Sequence, residues 1–319
     1  MARPYRFEFE GAFYHITARG NERKKIYRNA RDYEKFLEII TGAKGKYGFL
    51  LHSYVLMGNH YHLLIETPLP NLTQIMHLIN GWYTTYFNIK HQRSGHFFQG
   101  RYKSIILEAE SHLLGLSRYI HLNPVRAGMV NDPLEYRWSS LNDFIKNKKR
   151  QLTDTEMLIK MFQTKKEKGT KNYLEFVYQG KGVNEYNPKD KILSGVFLGG
   201  VKFVKEIMKS AYEGELSYEL SSRRTIENEI RREQILDFVS RCYNRDIEEI
   251  KAKEPGTLEA RKFAVYLLRK TTGLKLQKIG EMFGISYKGV YWLYRSFNEQ
   301  KNKSRKIKKY LKRFEKLSN

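Results

Sequence analysis

Residues 49–66 read FLLHSYVLMGNHYHLLIE, and they decide the fold class of the first part of the chain. Two apolar runs flank Gly58-Asn59, a pair typical of turns, so the pattern predicts a β-hairpin. Side chains alternate between the two faces of a strand, which places His60 and His62 on one face. Two imidazoles on one strand face make half of a divalent-metal site. A bare pair of this kind is more often structural than metal-binding, so it needs support from elsewhere in the chain.

Outward from this hairpin, apolar spacing predicts a layered domain of strands and helices. An antiparallel hairpin backed by amphipathic helices is typical of the α+β class. The predicted elements are strands at Gly11–Ala18, Phe49–Met57, His60–Glu66 and Lys103–Glu108, with helices at Ala30–Lys46, Pro70–Ile89 and Ser111–Leu122.

Support for the histidine pair comes from Tyr119, in the segment RYIHLNP of residues 118–124. Pro124 predicts the end of a helix, because proline usually stops one. Tyr119 and Asn123 lie four residues apart and therefore share a helix face. A phenol and an amide oxygen on a helix, beside a metal-binding strand, are what a tyrosine nuclease needs. Asn123 is also compatible with a plain role as a helix C-terminal residue.

These segments resemble a known family. His60-Tyr61-His62 resembles the histidine-hydrophobic-histidine (HUH) motif of single-tyrosine DNA transposases, the IS200-like transposase family. YIHLNPVRAG at residues 119–128 is similar to the tyrosine segment of their REP-associated branch. YHITARGN at residues 14–21 and GRYKS at residues 100–104 resemble that family as well. The resemblance covers roughly residues 5–145 in the right order.

The resemblance implies a ferredoxin-like antiparallel sheet with helices, the HUH nuclease domain, and histidines on a central strand. It implies that His60, His62 and Asn123 hold Mg²⁺ or Mn²⁺, and that Tyr119 attacks a phosphate of single-stranded DNA beside a hairpin or palindromic repeat. The products would be a 5′-phosphotyrosine and a free 3′-hydroxyl. By analogy the protein would be a homodimer. The expected nucleic-acid contacts in the matching segments are Arg19, Asn21, Arg101, Lys103 and Arg126.

A second pattern lies in residues 276–293, LQKIGEMFGISYKGVYWL, which fit a helix-turn-helix. Gly280 would allow close approach of two helices, and Gly284 a tight turn. An ordinary helical hairpin explains the same pattern, but the basic surroundings favour binding of duplex DNA. The expected groove or phosphate contacts are Tyr287, Lys288, Tyr291 and Arg295.

Residues 226–297 also resemble the DNA-binding domain of the replication initiator DnaA. The similarity rests on RKFAVYLLR at residues 261–269, followed by LQKIG at residues 276–280. Where that family carries a GGRDHSTV type of stretch, this chain has FGISYKGV at residues 283–290. The resemblance implies an all-α duplex-binding domain without implying recognition of the initiator's own DNA box.

The charge balance indicates a polyanionic partner. The net charge is +24, of which residues 146–319 carry +18 and the final stretch, residues 301–319, carries +8. Such a surface attracts nucleic acid without reading its sequence. A membrane surface is the competing partner, but the chain has no run of about 18 apolar residues. The single cysteine, Cys242, and a start unlike a signal peptide favour a cytoplasmic protein without disulfides or a Cys-based zinc cluster.

Changes in composition divide the chain into four parts. All nine histidines lie between His15 and His121, and lysine-rich runs begin after Ile145. We predict the nuclease domain at residues 1–145, a basic connecting region at 146–225, the helix-turn-helix domain at 226–300 and a basic tail at 301–319. Within the connecting region, short helices are expected around Asp154–Phe162 and Asn172–Gln179.

Three functions remain open on the sequence alone. The first is a transposase acting as a metal-dependent endonuclease and strand transferase on single-stranded DNA. The second is a domesticated protein that binds DNA hairpins without moving its own element. The third is a general RNA- or DNA-binding regulator in which the HUH motif is coincidental. The intact set of His60, His62, Tyr119 and Asn123 favours cleavage chemistry.

Overall fold

The computed structural model of the chain describes residues 6–145, 152–163, 169–181, 186–212, 223–301 and 304–318. The chain divides into two compact units, Met1–Ser222 and Arg223–Asn319. The lysine-rich runs of residues 146–150 and 165–168 lie outside the described ranges. Within those ranges, no helix is both long enough and apolar enough to cross a membrane.

The first unit begins with the elements that the sequence predicts, with small shifts at their ends. They are β1 (Ala12–Arg19), α1 (Ala30–Tyr47), β2 (Leu50–Met57), β3 (His60–Thr67), α2 (Leu72–Lys90), β4 (Lys103–Leu107) and α3 (Ala109–Arg126). After them come α4 (Glu156–Lys160), α5 (Gly169–Gln179), β5 (Ile192–Leu193), β6 (Phe197–Leu198) and α6 (Val201–Tyr212).

The strands form one sheet in the order β2-β3-β1-β4-β6-β5. Neighbours among the first four strands are antiparallel. Helix α1 leads from β1 to β2, and α2 from β3 to β4, and each connection skips one strand, which is the ferredoxin-like order. The α+β class is therefore confirmed. The sheet is mixed rather than purely antiparallel, because β6 pairs parallel with β4 after the long helical connection that a parallel neighbour requires.

Helices cover both faces of the sheet. Tyr61 points to the face of α1, where its ring lies 4.9 Å from that of Phe36. Leu64 points to the opposite face and belongs to the same buried cluster as Ile120 of α3. Because side chains alternate along β3, the two histidines of this strand project to the side of α3.

The described residues between 152 and 212, which belong to the predicted connecting region 146–225, pack as part of the first unit. Tyr173 and Val177 of α5 are fully buried in the cluster that includes α3. Strands β5 and β6 extend the sheet beyond β4. The helices expected in this region are present as α4 and α5. The described part of this segment therefore supports the sheet and the back of α3.

Helix α3 does not stop at Pro124, so that prediction was wrong. It continues to Arg126 and ends in a Schellman motif. Gly128 has a left-handed φ of 65°, and its N–H donates to the Val125 carbonyl at 3.0 Å. The Met129 N–H donates to the Pro124 carbonyl at 2.9 Å. Proline removes only its own N–H donor, whereas the left-handed glycine turns the chain out of the helix.

The second unit is helical in the part of the chain that the structure describes. Its helices are α7 (Arg223–Tyr243), α8 (Ile247–Ala252), α9 (Leu258–Thr272), α10 (Leu276–Phe283), α11 (Tyr287–Gln300) and α12 (Arg305–Ser318). A short turn joins α10 to α11. Gly284 adopts a left-handed φ of 60° in this turn. Gly284 therefore has the predicted role in the turn. A Cβ on Gly280 would overlap the Ile285 carbonyl oxygen, so Gly280 makes room for the backbone of this turn rather than for the neighbouring helix.

Arg261 lies at the centre of this unit, although it carries a charge. Its guanidinium donates to the carbonyls of Ile250 (2.9 Å) and Lys251 (2.5 Å) near the end of α8. It also donates to the carbonyl of Phe283, the last residue of α10, at 3.3 Å. Carbonyls at helix C-termini lack partners within their own helix and carry partial negative charge. The buried cation therefore satisfies the ends of two helices at once.

The predicted basic tail is largely a packed helix. Ile307 and Phe314 of α12 are buried in the core of the second unit. Tyr310 lies one turn from Ile307 and donates its hydroxyl to the Cys242 carbonyl at 2.5 Å. These apolar positions recur at helical spacing, so α12 buries one face while its lysines and arginines occupy the other.

Candidate active site

One face of the sheet combines the predicted histidines with basic side chains. In the register of the strands, His60 lies opposite Arg19 and His62 lies opposite Thr17. Thr17 in turn lies opposite Lys103 of β4. Directly opposite residues of antiparallel strands project to the same face, so these five side chains share the face on which α3 packs.

The spacing of the two histidine rings fits a shared metal ion. Their centroids lie 5.1 Å apart, with the ring planes at 74°. An ion about 2.1 Å from a ring nitrogen lies about 3.2 Å from that ring's centroid, so two rings that bind it at a right angle have centroids about 4.6 Å apart. The observed separation of the His60 and His62 rings is close to this value. The pair can therefore act as two adjacent ligands of one octahedral ion.

Each of these histidines has a polar neighbour at its Nδ1 atom. His60 Nδ1 lies 2.6 Å from Asn59 Oδ1, and His62 Nδ1 lies 2.8 Å from His15 Nε2. The rings of His15 and His62 also stack, with centroids 5.1 Å apart. Sequence reasoning gave Asn59 only the role of a turn residue and gave His15 no role. The alternation along β1 was the available signal, because it places His15 on the same face as Thr17.

Tyr119 meets the histidines from helix α3. Its half-buried ring stands edge-on to His62, with centroids 6.0 Å apart and an interplanar angle of 76°. Its centroid lies 6.5 Å from that of His15. The structure therefore brings the predicted nucleophile and the predicted metal-binding pair together on one face of the sheet.

A buried chain of hydrogen bonds fixes the rotation of α3. The Tyr173 hydroxyl contacts Ser117 Oγ at 2.5 Å and His121 Nδ1 at 3.0 Å. His121 Nε2 lies 2.9 Å from Ser140 Oγ, which donates to the Tyr54 carbonyl at 3.2 Å. Because Ser140 donates to that carbonyl, it accepts from His121 Nε2–H. His121 Nδ1 then accepts from the Tyr173 hydroxyl.

Burial raises the pKa of the Tyr119 phenol, while the positive charge of Arg126 and a hydrogen bond from Asn123 act in the opposite direction. The Arg126 guanidinium lies 5.0 Å from the centroid of the phenol ring. The pKa stays above its ordinary value, so the phenol is protonated at neutral pH. To act as a nucleophile this phenol would have to lose its proton, and the positive charge of Arg126 favours the phenolate form.

Asn123 lies one helical turn after Tyr119, as predicted. Its Nδ2 donates to the Tyr119 backbone carbonyl at 3.0 Å. The atom that would bind a cation is Oδ1, a different atom from the one in this bond. Among the described residues, no group of three or more His, Cys, Asp or Glu side chains is arranged to hold a metal ion. The predicted set is of another kind, because its third member is an amide.

Three of the predicted nucleic-acid contacts of the first unit lie at this site: Arg19 and Lys103 by strand register, and Arg126 beside the Tyr119 ring. Arg19 ends β1 and Lys103 begins β4. Asn21 is half-buried, in a loop whose backbone pairs with residues 97–98, and its N–H donates to the Phe97 carbonyl at 2.8 Å. The exposed members of the set are Arg19, Arg101, Lys103 and Arg126.

The predicted contacts of the second unit share the solvent-facing side of α11. Tyr287 and Tyr291 are more than half exposed, and Lys288 is exposed between them. Arg295 is also exposed, but its Nε donates to Glu299 at 2.8 Å, which offsets part of its charge. Sequence reasoning missed Trp292, which is 56% exposed on the same helix.

Residues 9–123 match the protein family described as "Transposase IS200 like". This match spans about a third of the chain and includes His60, His62, Tyr119 and Asn123. Among solved structures, the chain is similar to one described as "Structure of the REP associates tyrosine transposase bound to a REP hairpin". That similarity has 17% sequence identity and a TM-score of 0.41, and it covers 48% of this chain and 90% of the other. No curated protein matches this chain significantly.

Proposed function

We propose that the first unit is a metal-dependent endonuclease and strand transferase for single-stranded DNA, of the transposase kind, with Tyr119 as its nucleophile. The observation that carries this proposal is the 6.0 Å approach of the Tyr119 ring to His62, on the sheet face that His60 shares. The match of residues 9–123 to IS200-like transposases supports the same chemistry.

The metal ligands would be one ring nitrogen each from His60 and His62, with the side-chain oxygen of Asn123. The 5.1 Å separation of the two rings fits this role. Mg²⁺ and Mn²⁺ are the candidate ions, and imidazole ligands suit Mn²⁺ better. A bound ion would polarise the scissile phosphate and offset the negative charge that develops in the transition state.

Tyr119 would form a bond from its phenolic oxygen to phosphorus as the bond from phosphorus to O3′ breaks. The phenol gives up its proton, and the departing O3′ takes up a proton to become a 3′-hydroxyl. The 5′-phosphotyrosine keeps the energy of the phosphodiester bond, so a different 3′-hydroxyl can attack it and rejoin strands. Arg126 favours the phenolate in both directions, because the same charge develops on the tyrosine oxygen when it leaves.

Arg19, two residues after Thr17 on β1, and Lys103, directly opposite Thr17 on β4, would hold the DNA backbone. Both are exposed, and the strand register places them on the histidine face. Contacts of this kind to phosphates position a strand without reading its bases. The first unit would also recognise a DNA hairpin beside the cleaved strand.

The second unit would bind duplex DNA through α11. The exposed side of this helix combines aromatic rings with cations, in Tyr287, Tyr291 and Lys288. The basic face of α12 adds positive charge that attracts phosphates. Assembly as a homodimer is a further part of this proposal, and sedimentation of the full chain with and without a DNA hairpin tests it.

The test is transfer of labelled DNA to the protein. An oligonucleotide with a hairpin and a single-stranded flank, incubated with the full chain and Mn²⁺, should give a covalent protein–DNA band in a denaturing gel. Tyr119→Phe removes one oxygen and should eliminate both this band and strand cleavage, while binding to uncut hairpin persists. Peptide mapping of the trapped adduct should locate the DNA on Tyr119.

Tyr102→Phe is the matched control, because Tyr102 is a nearby tyrosine that lies directly before Lys103, the first residue of β4. This variant should form the covalent band at the level of the unsubstituted protein. Adduct on any tyrosine other than Tyr119, or an undiminished band from Tyr119→Phe, would show that another group is the nucleophile.

A further inference from the structure

A strained loop packs directly against the turn that precedes His60. The loop backbone has two consecutive left-handed residues, Glu22 (φ 54°) and Arg23 (φ 59°), neither of them glycine. Gly20 closes the loop, because a Cβ there would overlap the Lys24 carbonyl oxygen. Left-handed non-glycine backbone is unfavourable and persists where the surrounding structure holds it in place. The loop is therefore a built feature of the site.

The loop is hydrogen-bonded to the β2–β3 turn through backbone groups and through one side chain. The Gly20 N–H donates to the Asn59 carbonyl at 2.9 Å, and the Ile26 N–H donates to the Gly58 carbonyl at 2.9 Å. Asn59 Nδ2 donates to the Arg23 carbonyl at 3.1 Å. A carbonyl oxygen only accepts hydrogen bonds, so the nitrogen of the amide has to face Arg23. The loop thereby determines which way round the Asn59 amide lies.

The orientation of this amide determines the tautomer of His60. Once Nδ2 faces Arg23, Oδ1 is the atom 2.6 Å from His60 Nδ1. An amide oxygen has no proton to give, so His60 Nδ1 has to carry the hydrogen of this bond. In the neutral ring the lone pair then resides on Nε2, which is the form that binds a metal ion through Nε2.

His15 can act on His62 as Asn59 acts on His60, by accepting a hydrogen bond from Nδ1. The two rings share one hydrogen between His62 Nδ1 and His15 Nε2, 2.8 Å apart. When His62 Nδ1 is the donor, its lone pair resides on Nε2, as in His60. The reverse arrangement leaves the proton on His62 Nε2 and blocks a metal ion there. A metal ion on His62 Nε2 therefore requires His15 to be the acceptor.

We infer that Asn59 is a positioning residue that sets the tautomer of His60, and that His15 is a positioning residue that accepts from His62 Nδ1 when both rings present the lone pair of Nε2 to one divalent cation. The inference rests on the metal-dependent function proposed above. For His60, the protein determines which ring nitrogen carries the proton before any metal ion binds. For His62, the bound ion selects one of the two positions of the proton between His62 and His15.

The first measurement is the tautomer itself, in metal-free full-length protein with ¹⁵N-labelled histidine. At mildly alkaline pH, where unperturbed histidines are neutral, two-bond ¹H–¹⁵N spectra distinguish a protonated Nδ1 from a protonated Nε2. The His60 signals, assigned by their loss in His60→Gln, should show the proton on Nδ1. Asn59→Leu should abolish this preference, whereas Asn59→Asp should keep it, because a carboxylate oxygen is also an acceptor.

The second measurement is the affinity for Mn²⁺, followed by electron paramagnetic resonance without DNA. Loss of a hydrogen-bonding partner behind a metal ligand weakens metal binding by about 10–100-fold. We expect that loss for Asn59→Leu and for His15→Phe, which keeps a stacking ring without an acceptor. Asn59→Asp should bind Mn²⁺ at least as tightly as the unsubstituted protein. Urea unfolding of each variant checks that the fold is retained.

A proton on Nε2 of His60 in the unsubstituted protein would overturn the inference. So would unchanged Mn²⁺ affinity in folded Asn59→Leu. If His60 shows the expected tautomer but the unsubstituted protein binds no Mn²⁺, the metal centre of the proposed function fails, and the positioning role fails with it. Failure of Tyr119→Phe to abolish the covalent band leaves both measurements unaffected, so the two proposals can fail separately.

Discussion

Acidification should destabilise the first unit through one buried side chain, His121. The ring is fully buried in α3, and burial lowers its pKa to about 3. Its Nδ1 accepts from Tyr173 and its Nε2–H donates to Ser140. If Nδ1 bound a second proton, it could no longer accept the hydrogen bond from the Tyr173 hydroxyl group. The folded protein keeps this histidine neutral, whereas an unfolded histidine titrates with a pKa of about 6.5.

The sign and size of the effect follow from these two pKa values. Between pH 6.5 and pH 3, His121 binds a second proton in the unfolded state but not in the folded state, so the free energy of unfolding falls as the pH falls. At pH 5 an unfolded histidine is about 30-fold more protonated than neutral, and the contribution to the unfolding free energy from pH 7 to pH 5 is a loss of about 2 kcal/mol. The folded pKa of His121 lies so far below 5 that its exact value hardly affects this figure.

The assay is urea unfolding at a series of pH values in a Trp292→Phe background. Trp292 is exposed and lies in the second unit, so the remaining fluorescence comes from Trp82 and Trp138 in the first unit. His121→Gln supplies a neutral amide at the same place. From pH 7 to pH 5, the unfolding free energy of the variant should fall by about 2 kcal/mol less than that of the protein with His121. The other titrating groups contribute equally to both proteins, so they cancel in this comparison.

Parallel curves for the two proteins over this pH range would refute the reasoning. That result would mean that His121 is protonated in the folded state, and that the chain of hydrogen bonds from Ser117 to Ser140 does not have the direction deduced above. Lower stability of His121→Gln at every pH, with an unchanged slope, would be the same refutation.

Three further predictions address the proposed chemistry. EDTA should stop strand cleavage, and His62→Ala should abolish it while hairpin binding persists; cleavage by His62→Ala in a gel assay would remove this residue from the metal site. Arg126→Gln should slow cleavage and shift the rise of the rate with pH to higher pH, because the phenolate of Tyr119 loses a neighbouring cation; an unchanged single-turnover pH profile would exclude this role. A chain ending at Ser222 loses +13 of the +24 charge and should still cleave, with weaker DNA affinity and a flatter slope of log affinity against log salt; the same slope would show that the second unit does not contact DNA.

The central hairpin was predictable because its information is local. Alternation over residues 49–66, together with the turn at Gly58-Asn59, specified two strands and the common face of His60 and His62 without any knowledge of the rest of the chain. The proximity of Tyr119 to that face could not be derived from periodicity alone. It was expected from the resemblance to a family, and the structure places the ring against His62.

The contributions of His15 and Asn59 depend on contacts that the sequence does not display. His15 and His62 are 47 residues apart and meet only through the register of β1 and β3. Asn59 read as a turn residue, and its second contact is with a loop more than 30 residues earlier in the chain. The short strands β5 and β6 have two residues each, too few for any periodic signal. In α12, lysines and arginines separate the apolar residues at helical spacing, so the composition of this segment alone predicted a basic tail.

Arg261 has a consequence for any attempt to transplant the α10–α11 helix pair. Its guanidinium is supplied by α9, while the carbonyls that it satisfies belong to α8 and α10. An excised helix pair would lose this cation and expose the end of α10 that it completes. The two helices therefore depend on α8 and α9. A chimeric protein designed to present the surface of α10 and α11 has to include residues from α8 onward.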